Sequence, residues 1–409
     1  MTRVLLVADD LTGAADSAAP FVKRGFSTCL IFNPKIVLQD AEVVAFSSET
    51  RNLDPESAKA SLRDFLPRLK GYQPDWLFCK IDSQLRGYPG VNLVEMMTGW
   101  GIDKVVIAPA FPGQGRTTRN GTQYIHGIPL LETSVGTEVG TSSVAEVFLR
   151  GSRLKAASLS LADVRLEQAQ FNRFLADLSP ACYVADSERD EDLTALVTAA
   201  DQAGIRLLCG SAGLADALAR RLQEEHSAIQ SAQYVKIDAA KGDVIIVVSS
   251  YHPVARAQVE YLRGRGITVI EIPHDVLAGI IEPDETLDRI QWLRSTGQGC
   301  IVLTLPVFPI LEGESPILAQ GLAKVVKTAC LEKPAQGLVL TGGDAAAAVC
   351  AEMDVSALRL GGEVQMGIPW GVVEGGVLPG LRVVTKSGGF GEKQALWDCY
   401  QFIINLSSG

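Results

Sequence analysis

Short apolar runs recur along the chain, and few of them alternate with polar residues. The first is Arg3-Val4-Leu5-Leu6-Val7-Ala8, followed by runs at 42–46, 76–81, 104–110, 182–185 and 206–209. A second series comprises Val244 to Val248, 267–272, Cys300 to Leu305, Leu338 to Leu340 and Val383-Val384. An unalternating Val/Leu/Ile run reads as a strand buried on both faces, as in a parallel sheet. Helical patterns fill the intervals, so the chain predicts βαβ units with right-handed crossovers. The fold class is α/β, with two domains each built on a largely parallel sheet flanked by helices. Arg220 to Lys241 begins as a helical tail and turns polar, and a buried strand restarts at Asp243. That break predicts domains at 1–235 and 240–409.

Length agrees, since 409 residues exceed one ordinary core. Hydrophobic residues at 47% and charged residues at 21% describe a globular protein without long disorder. A net charge of −10 argues against nucleic acid as a partner, because phosphate contacts need clustered Lys and Arg. No apolar run approaches the ~20 residues that span a bilayer, and no membrane partner is expected. Asp9 and Asp10 interrupt the N-terminal apolar stretch, so no signal-peptide pattern forms. The eight cysteines are scattered singly, without CxxC spacing, and Cys79, Cys209 and Cys300 lie inside apolar runs. The expectation is a reduced, cytoplasmic protein.

The chemistry gathers where strands end. Asp9-Asp10-Leu11-Thr12-Gly13 follows the first run and opens a helix, placing two acids where open α/β sheets bind ligands. The blander alternative makes one acid a helix cap and the other solvated. Lys80-Ile81-Asp82-Ser83 closes another strand, with Arg86 three residues on and Arg51 just past the 42–46 run. Cations, an acid and a hydroxyl at one sheet edge suit a polyhydroxylated anion: Arg or Lys holds a carboxylate, while Asp and Ser take hydroxyls. Ala108 to Thr118 reads as a Pro/Gly-rich ordered loop, with Arg116 either a polar contact or merely exposed. Gly210-Ser211-Ala212-Gly213 reads as a helix cap.

The second half carries glycine loops instead. Thr341-Gly342-Gly343-Asp344-Ala345 joins a strand to a helix, and Lys386-Ser387-Gly388-Gly389 follows another strand. Glycines let backbone N–H groups approach a phosphate, and Lys386 is expected to pair with one. Asp344 is the candidate proton acceptor or magnesium contact, with Asp82 and Asp10 behind it. Ser249-Ser250-Tyr251-His252 ends the first strand of this half and is a candidate nucleotide contact. Walker A and GxGxxG spacings are both absent. His126, His226 and His274 have no metal-ligand spacing.

Taken together, these motifs resemble the four-carbon acid sugar kinase family over nearly the whole chain. The resemblance rests on Ala8 to Ala14, Lys80 to Ser83, Leu85-Arg86-Gly87, Pro109 to Pro112, Gln114 to Thr118, Gly210 to Leu214, Thr341 to Asp344 and Thr385 to Gly391. It implies an N-terminal acid-sugar-binding domain, a C-terminal ATP-binding domain, and phosphoryl transfer in the inter-domain cleft to threonate, erythronate or an oxo-tetronate. It puts Asp10, Arg51, Lys80, Ile81, Asp82, Ser83 and Arg86 at the acid sugar, with Asp9 beside them. Ser249, Ser250, His252, Gly342, Gly343, Asp344, Ala345, Lys386, Gly388 and Gly389 go to the nucleotide. ATP and Mg2+ are the expected cofactors, without assigned metal ligands, and a homodimer is admitted. The chain departs from the pattern at Tyr251-His252 in the nucleotide turn, and at Gln84, Tyr88 and Glu132 to Val144 near the substrate half, where the departures leave the particular acid open. The competing readings are a lyase or aldolase using Lys80 and Asp82, and a two-lobed sensor without turnover.

Overall fold

The unalternating runs become strands buried on both faces. In the computed structural model, which describes residues 2–32, 40–177, 182–225, 242–306 and 315–406, the Val4–Ala8 and Val244–Val248 strands are wholly buried. The described residues fall into two units. One takes residues up to Cys29 and from 40 to 225, and the other takes Leu30–Phe32 and the residues from 242 onward. The expected break at 235–240 lies outside the described residues, as does His226.

Unit 1 carries β1 (Val4–Ala8), the first half of β2 (Thr28–Ile31), whose Leu30 and Ile31 fall to unit 2, then β3 (Val43–Ser47), β4 (Trp76–Lys80) and β5 (Val105–Ala108). Then come β6 (Arg116–Arg119), β7 (Thr122–Ile125), β8 (Ile128–Pro129), β9 (Ala157–Leu159), β10 (Cys182–Ala185) and β11 (Leu207–Gly210). Its main sheet runs β2-β3-β1-β4-β11-β5-β10-β9, parallel from β3 to β9. The small β6-β7-β8 sheet is antiparallel. It replaces part of the loop expected there. Asn120 and Gly121, at φ 50° and 68°, make the two-residue turn, and an Asn-Gly pair with both residues at positive φ favours such a hairpin.

Unit 2 carries β12 (Val244–Val248), β13 (Thr268–Glu271), β14 (Cys300–Thr304), β15 (Gly337–Thr341), β16 (Ala357–Gln365), β17 (Ile368–Glu374) and β18 (Arg382–Lys386). The sheet order is β13-β14-β12-β15-β18-β17-β16. The first five strands are parallel, and β17 and β16 close the edge antiparallel. The β16–β17 hairpin was not foreseen. Its register slips between Leu360 and Gly362, which blurs the period-two alternation that marks a strand.

Strand order locates both candidate sites. From β1 the chain builds outward to β3 and then returns to place β4 on the other side of β1. From β12 it builds to β13 and β14, then returns to place β15 on the opposite flank. Loops leaving such a reversal diverge and open a crevice at the carboxyl ends of the strands. The registers keep those ends level: Ala8 pairs with both Ser47 and Lys80, and Val248 pairs with both Thr304 and Thr341. Among the described residues no helix is long and apolar enough to cross a membrane.

Beneath the unit 2 sheet, Arg294 donates through Nε (2.7 Å) and Nη2 (2.9 Å) to Asp243, with the Arg294 side chain fully buried. It also donates to the carbonyls of Ala329 and Lys333, tying helices Asp284–Ser295 and Ser315–Glu332 to the start of β12. Removing one partner of such a pair leaves a buried charge uncompensated. Asp243→Asn is expected to lose about 3 kcal/mol or more in denaturant titration, and Asp243→Leu with Arg294→Met to recover most of it. Equal losses in the single and double variants would contradict this reading.

Candidate functional site

At the end of β1 the two acids take different roles. Asp10 caps helix Leu11–Val22, accepting from Gly13 N (2.9 Å) and Thr12 Oγ1 (2.8 Å). Asp9 is not solvated: it is 1% exposed and accepts both Nε (3.1 Å) and Nη2 (2.6 Å) of Arg51. Arg51 Nη1 lies 2.6 Å from Asp10, so one guanidinium bridges both carboxylates. Burial pushes the Asp9 carboxyl up, and the adjacent Arg51 pulls against it. Burial would lower Arg51, but Asp9, Asp10 and Asp82 together hold it well above its ordinary value.

At the end of β4, Lys80 is buried at 5% exposure, and a side chain at Gly13 would press on its ammonium. Ile81 is an apolar link whose N–H donates to Gly210. Asp82 is buried and paired with Arg86 Nε at 2.5 Å. Burial alone would raise its carboxyl, yet Arg86, Arg51 and Lys80 outweigh that and hold it well below the usual range. Gly87, at φ 74°, packs against the Arg51 carbonyl, where a Cβ would stand 2.9 Å away. The Ser83 carbonyl accepts from Gln123 Nε2 at 2.7 Å, which fixes the small β6–β8 sheet to this turn.

The structure therefore gathers Asp9, Asp10, Arg51, Lys80, Asp82 and Arg86 at one reversal of the sheet, as expected. It alters two roles. Arg51 and Arg86 were expected to take an incoming carboxylate, but each already holds the site's own acids. Gln123 carried no signal in the sequence, since a lone Gln in a polar stretch looks solvated. Ser211 is a local cap, accepting from Gly213 N while donating to Ala110.

In unit 2 the three expected turns converge. A Cβ at Gly342, already at φ 105°, would overlap Ser249 Oγ. A Cβ at Gly388 would overlap Ser250 Oγ, and one at Gly389 would sit 3.2 Å from His252 Nε2. His252 caps helix Pro253–Gly264 through Nδ1, which accepts from Val254 N, and this makes it a structural cap in the first instance. Gly343 opens helix Gly343–Glu352, Asp344 is exposed in its first turn, and Ala345 is buried behind it. Lys386 was expected to reach a phosphate. Its buried ammonium instead donates to the carbonyls of Ser387 (2.8 Å) and Phe390 (2.9 Å), and burial lowers it to about 8. In this arrangement it shapes the glycine loop. Gln258 helps, donating to the carbonyls of Phe390, Gly391 and Glu392. Among the described residues no group of three or more His, Cys, Asp or Glu is placed to hold a metal ion.

Comparison with known proteins follows this division. Residues 4–218 match the family model of a sugar-binding N-terminal domain, and residues 245–396 that of a nucleotide-binding C-terminal domain. The chain is 32% identical to the D-threonate kinase of Bordetella bronchiseptica, over 96% of this chain and 95% of that protein. It is 26% identical to the D-erythronate kinase of Heliobacterium modesticaldum, over 100% and 98% of the two chains. A solved structure from Salmonella typhimurium shares the fold at a TM-score of 0.79 and 20% identity, covering 98% of this chain and 99% of that one. On these matches, with a charged strand-end site in one unit and converging glycine loops in the other, the chain belongs to the four-carbon acid sugar kinase family.

Proposed function

We propose that this protein is an ATP-dependent kinase that phosphorylates a hydroxyl of a four-carbon acid sugar of the threonate and erythronate type. The observation that carries the reading is the opposed chemistry of the two strand-end sites. Unit 1 offers charged side chains, and unit 2 offers glycine turns with exposed backbone. Phosphoryl transfer asks for this, because it depends on positioning and on neutralising charge rather than on covalent chemistry by the protein.

Each set of residues has a task. The turns at Ser249–His252, Gly342–Ala345 and Gly388–Gly389 bring N–H groups and a helix N-terminus to the nucleotide phosphates. Asp10, Asp82 and Ser83 accept from or donate to the hydroxyls of the acid. Asp82, held ionised by its cations, is a dependable hydrogen-bond acceptor but a weak base, since a good general base titrates near the working pH. We therefore read Asp82 as orienting the hydroxyl and Asp344 as taking its proton. The described residues do not fit a resident metal, so magnesium is read as the counter-ion that ATP carries in, with Asp344 the acid beside it. The requirement for ATP favours a cytoplasmic setting.

ATP consumption is measured with D-threonate, D-erythronate and 3-oxo-tetronate, magnesium present. The expected result is ADP formation that requires an acid and prefers one of them. Conversion of an acid without ATP would favour the lyase reading, and binding without turnover would favour the sensor.

Two isosteric variants separate the acids. Asp344→Asn is expected to lower kcat by about 10²–10⁴, the usual cost of losing a general base, with both KM values within about threefold. Asp82→Asn is expected to raise KM for the acid about tenfold or more while KM for ATP holds. A kcat collapse confined to Asp82→Asn would move the proton acceptor to unit 1.

A further inference from the structure

Four cations stand about the unit 1 site, and they are not equivalent. Arg51 is spent on Asp9 and Asp10 through all three of its nitrogens, and Arg86 pairs with Asp82 through Nε. Lys80 and Arg116 make no ion pair with any carboxylate among the described residues. An anion arriving at this site finds at those two the cations that hold no carboxylate of the protein's own.

Arg116 is held ready in an unusual way. Its Nη1 donates to the carbonyl (2.7 Å) and the side-chain oxygen (3.0 Å) of Gln114. Its Nε is buried and has no hydrogen-bond partner. The Nε–Nη2 edge of the guanidinium is thus unused, and that edge matches both oxygens of a carboxylate. A buried donor without an acceptor is costly, and native proteins keep one where a ligand or ion completes it. Asp82 and Arg86 both act electrostatically on this guanidinium, as does Asp16, which places it in the field of the site.

The hairpin that carries Arg116 is anchored. Arg116 begins β6 and exchanges backbone hydrogen bonds with Phe111. Thr118 and Gln123 are both fully buried and bonded to each other at 2.7 Å. Thr118 exchanges backbone hydrogen bonds with Ser187, and Gln123 reaches the Ser83 carbonyl. The hairpin is therefore fixed to the same turn that presents Lys80 and Asp82.

We propose that Arg116 receives the carboxylate of the acid sugar, with Lys80 as its companion cation and Gln123 as the positioning residue that fixes the hairpin. The inference rests on reading unit 1 as the acid-sugar site. It makes Arg116 the residue that distinguishes an acid from the neutral polyol of the same length.

The test uses the full chain, with D-threonate and with threitol, in which CH2OH replaces the carboxylate. Binding of D-threonate is measured by calorimetry without nucleotide, and kcat/KM is measured for both compounds. Arg116→Ala is expected to weaken D-threonate binding and raise its KM by roughly 10- to 100-fold, the range for one charge-assisted contact. KM for ATP and the value for threitol should stay within about twofold, so the preference for the acid collapses. Arg116→Lys should recover part of the loss, since it restores the charge without the fork. Gln123→Ala should shift the same preference in the same direction by less. Wild-type threonate binding in Arg116→Ala, or an equal loss for threonate and threitol, would overturn the proposal. A wild-type protein that binds no four-carbon acid would instead overturn the reading of unit 1 on which it rests.

Discussion

The interaction on which the unit 1 site depends is the Arg51 bridge between Asp9 and Asp10. Two carboxylates adjacent in sequence at a strand end repel each other, and one of them is almost fully buried. Only a partner with several fixed donors can satisfy both, and a guanidinium has that geometry. Such a pair adds little net stability, because desolvation offsets the attraction. What it supplies is definition: it fixes the turn after β3 against the turn after β1. It also gives an Arg51 variant two meanings. Loss of activity there would report two acids left unpaired as readily as a lost substrate contact.

Unit 2 solves a different problem with different means. Phosphates are best met by backbone N–H groups, which requires close approach rather than charge. At Gly342 and Gly388 the turns of unit 2 come close together, since a methyl at either would strike a serine of the neighbouring turn. Lys386 and Gln258 then hold the third turn from below by donating to its carbonyls. The lysine itself is buried beneath that turn.

Much of this was legible in the chain. The apolar runs mark the parallel strands because burial on both faces leaves a continuous hydrophobic signature, and the polar residues that follow each run mark the strand-end sites. The antiparallel pieces were not legible for physical reasons. The β16–β17 hairpin carries a register slip that blurs its alternation, and the β6–β7 hairpin was concealed in a polar stretch, although Asn120-Gly121 names its turn. Within the site, residue types were readable and pairings were not. Arg51 and Asp9 are 42 positions apart, and only the fold decides that Arg51 is spent on Asp9 while Arg116, at the end of a Pro/Gly-rich stretch, is left without an acid.

The central claim is that the acids of unit 1 are already paired with arginines, so an acid sugar binds as an anion to the cations that hold no carboxylate of their own. Proton exchange on binding tests this most directly. Calorimetric titration of D-threonate near neutral pH, in buffers of widely different ionisation enthalpy, should give the same heat in each, with no proton taken up. Uptake of about one proton per bound acid would contradict the account, because it would mean that a carboxylate of the site must be neutralised before the ligand can enter.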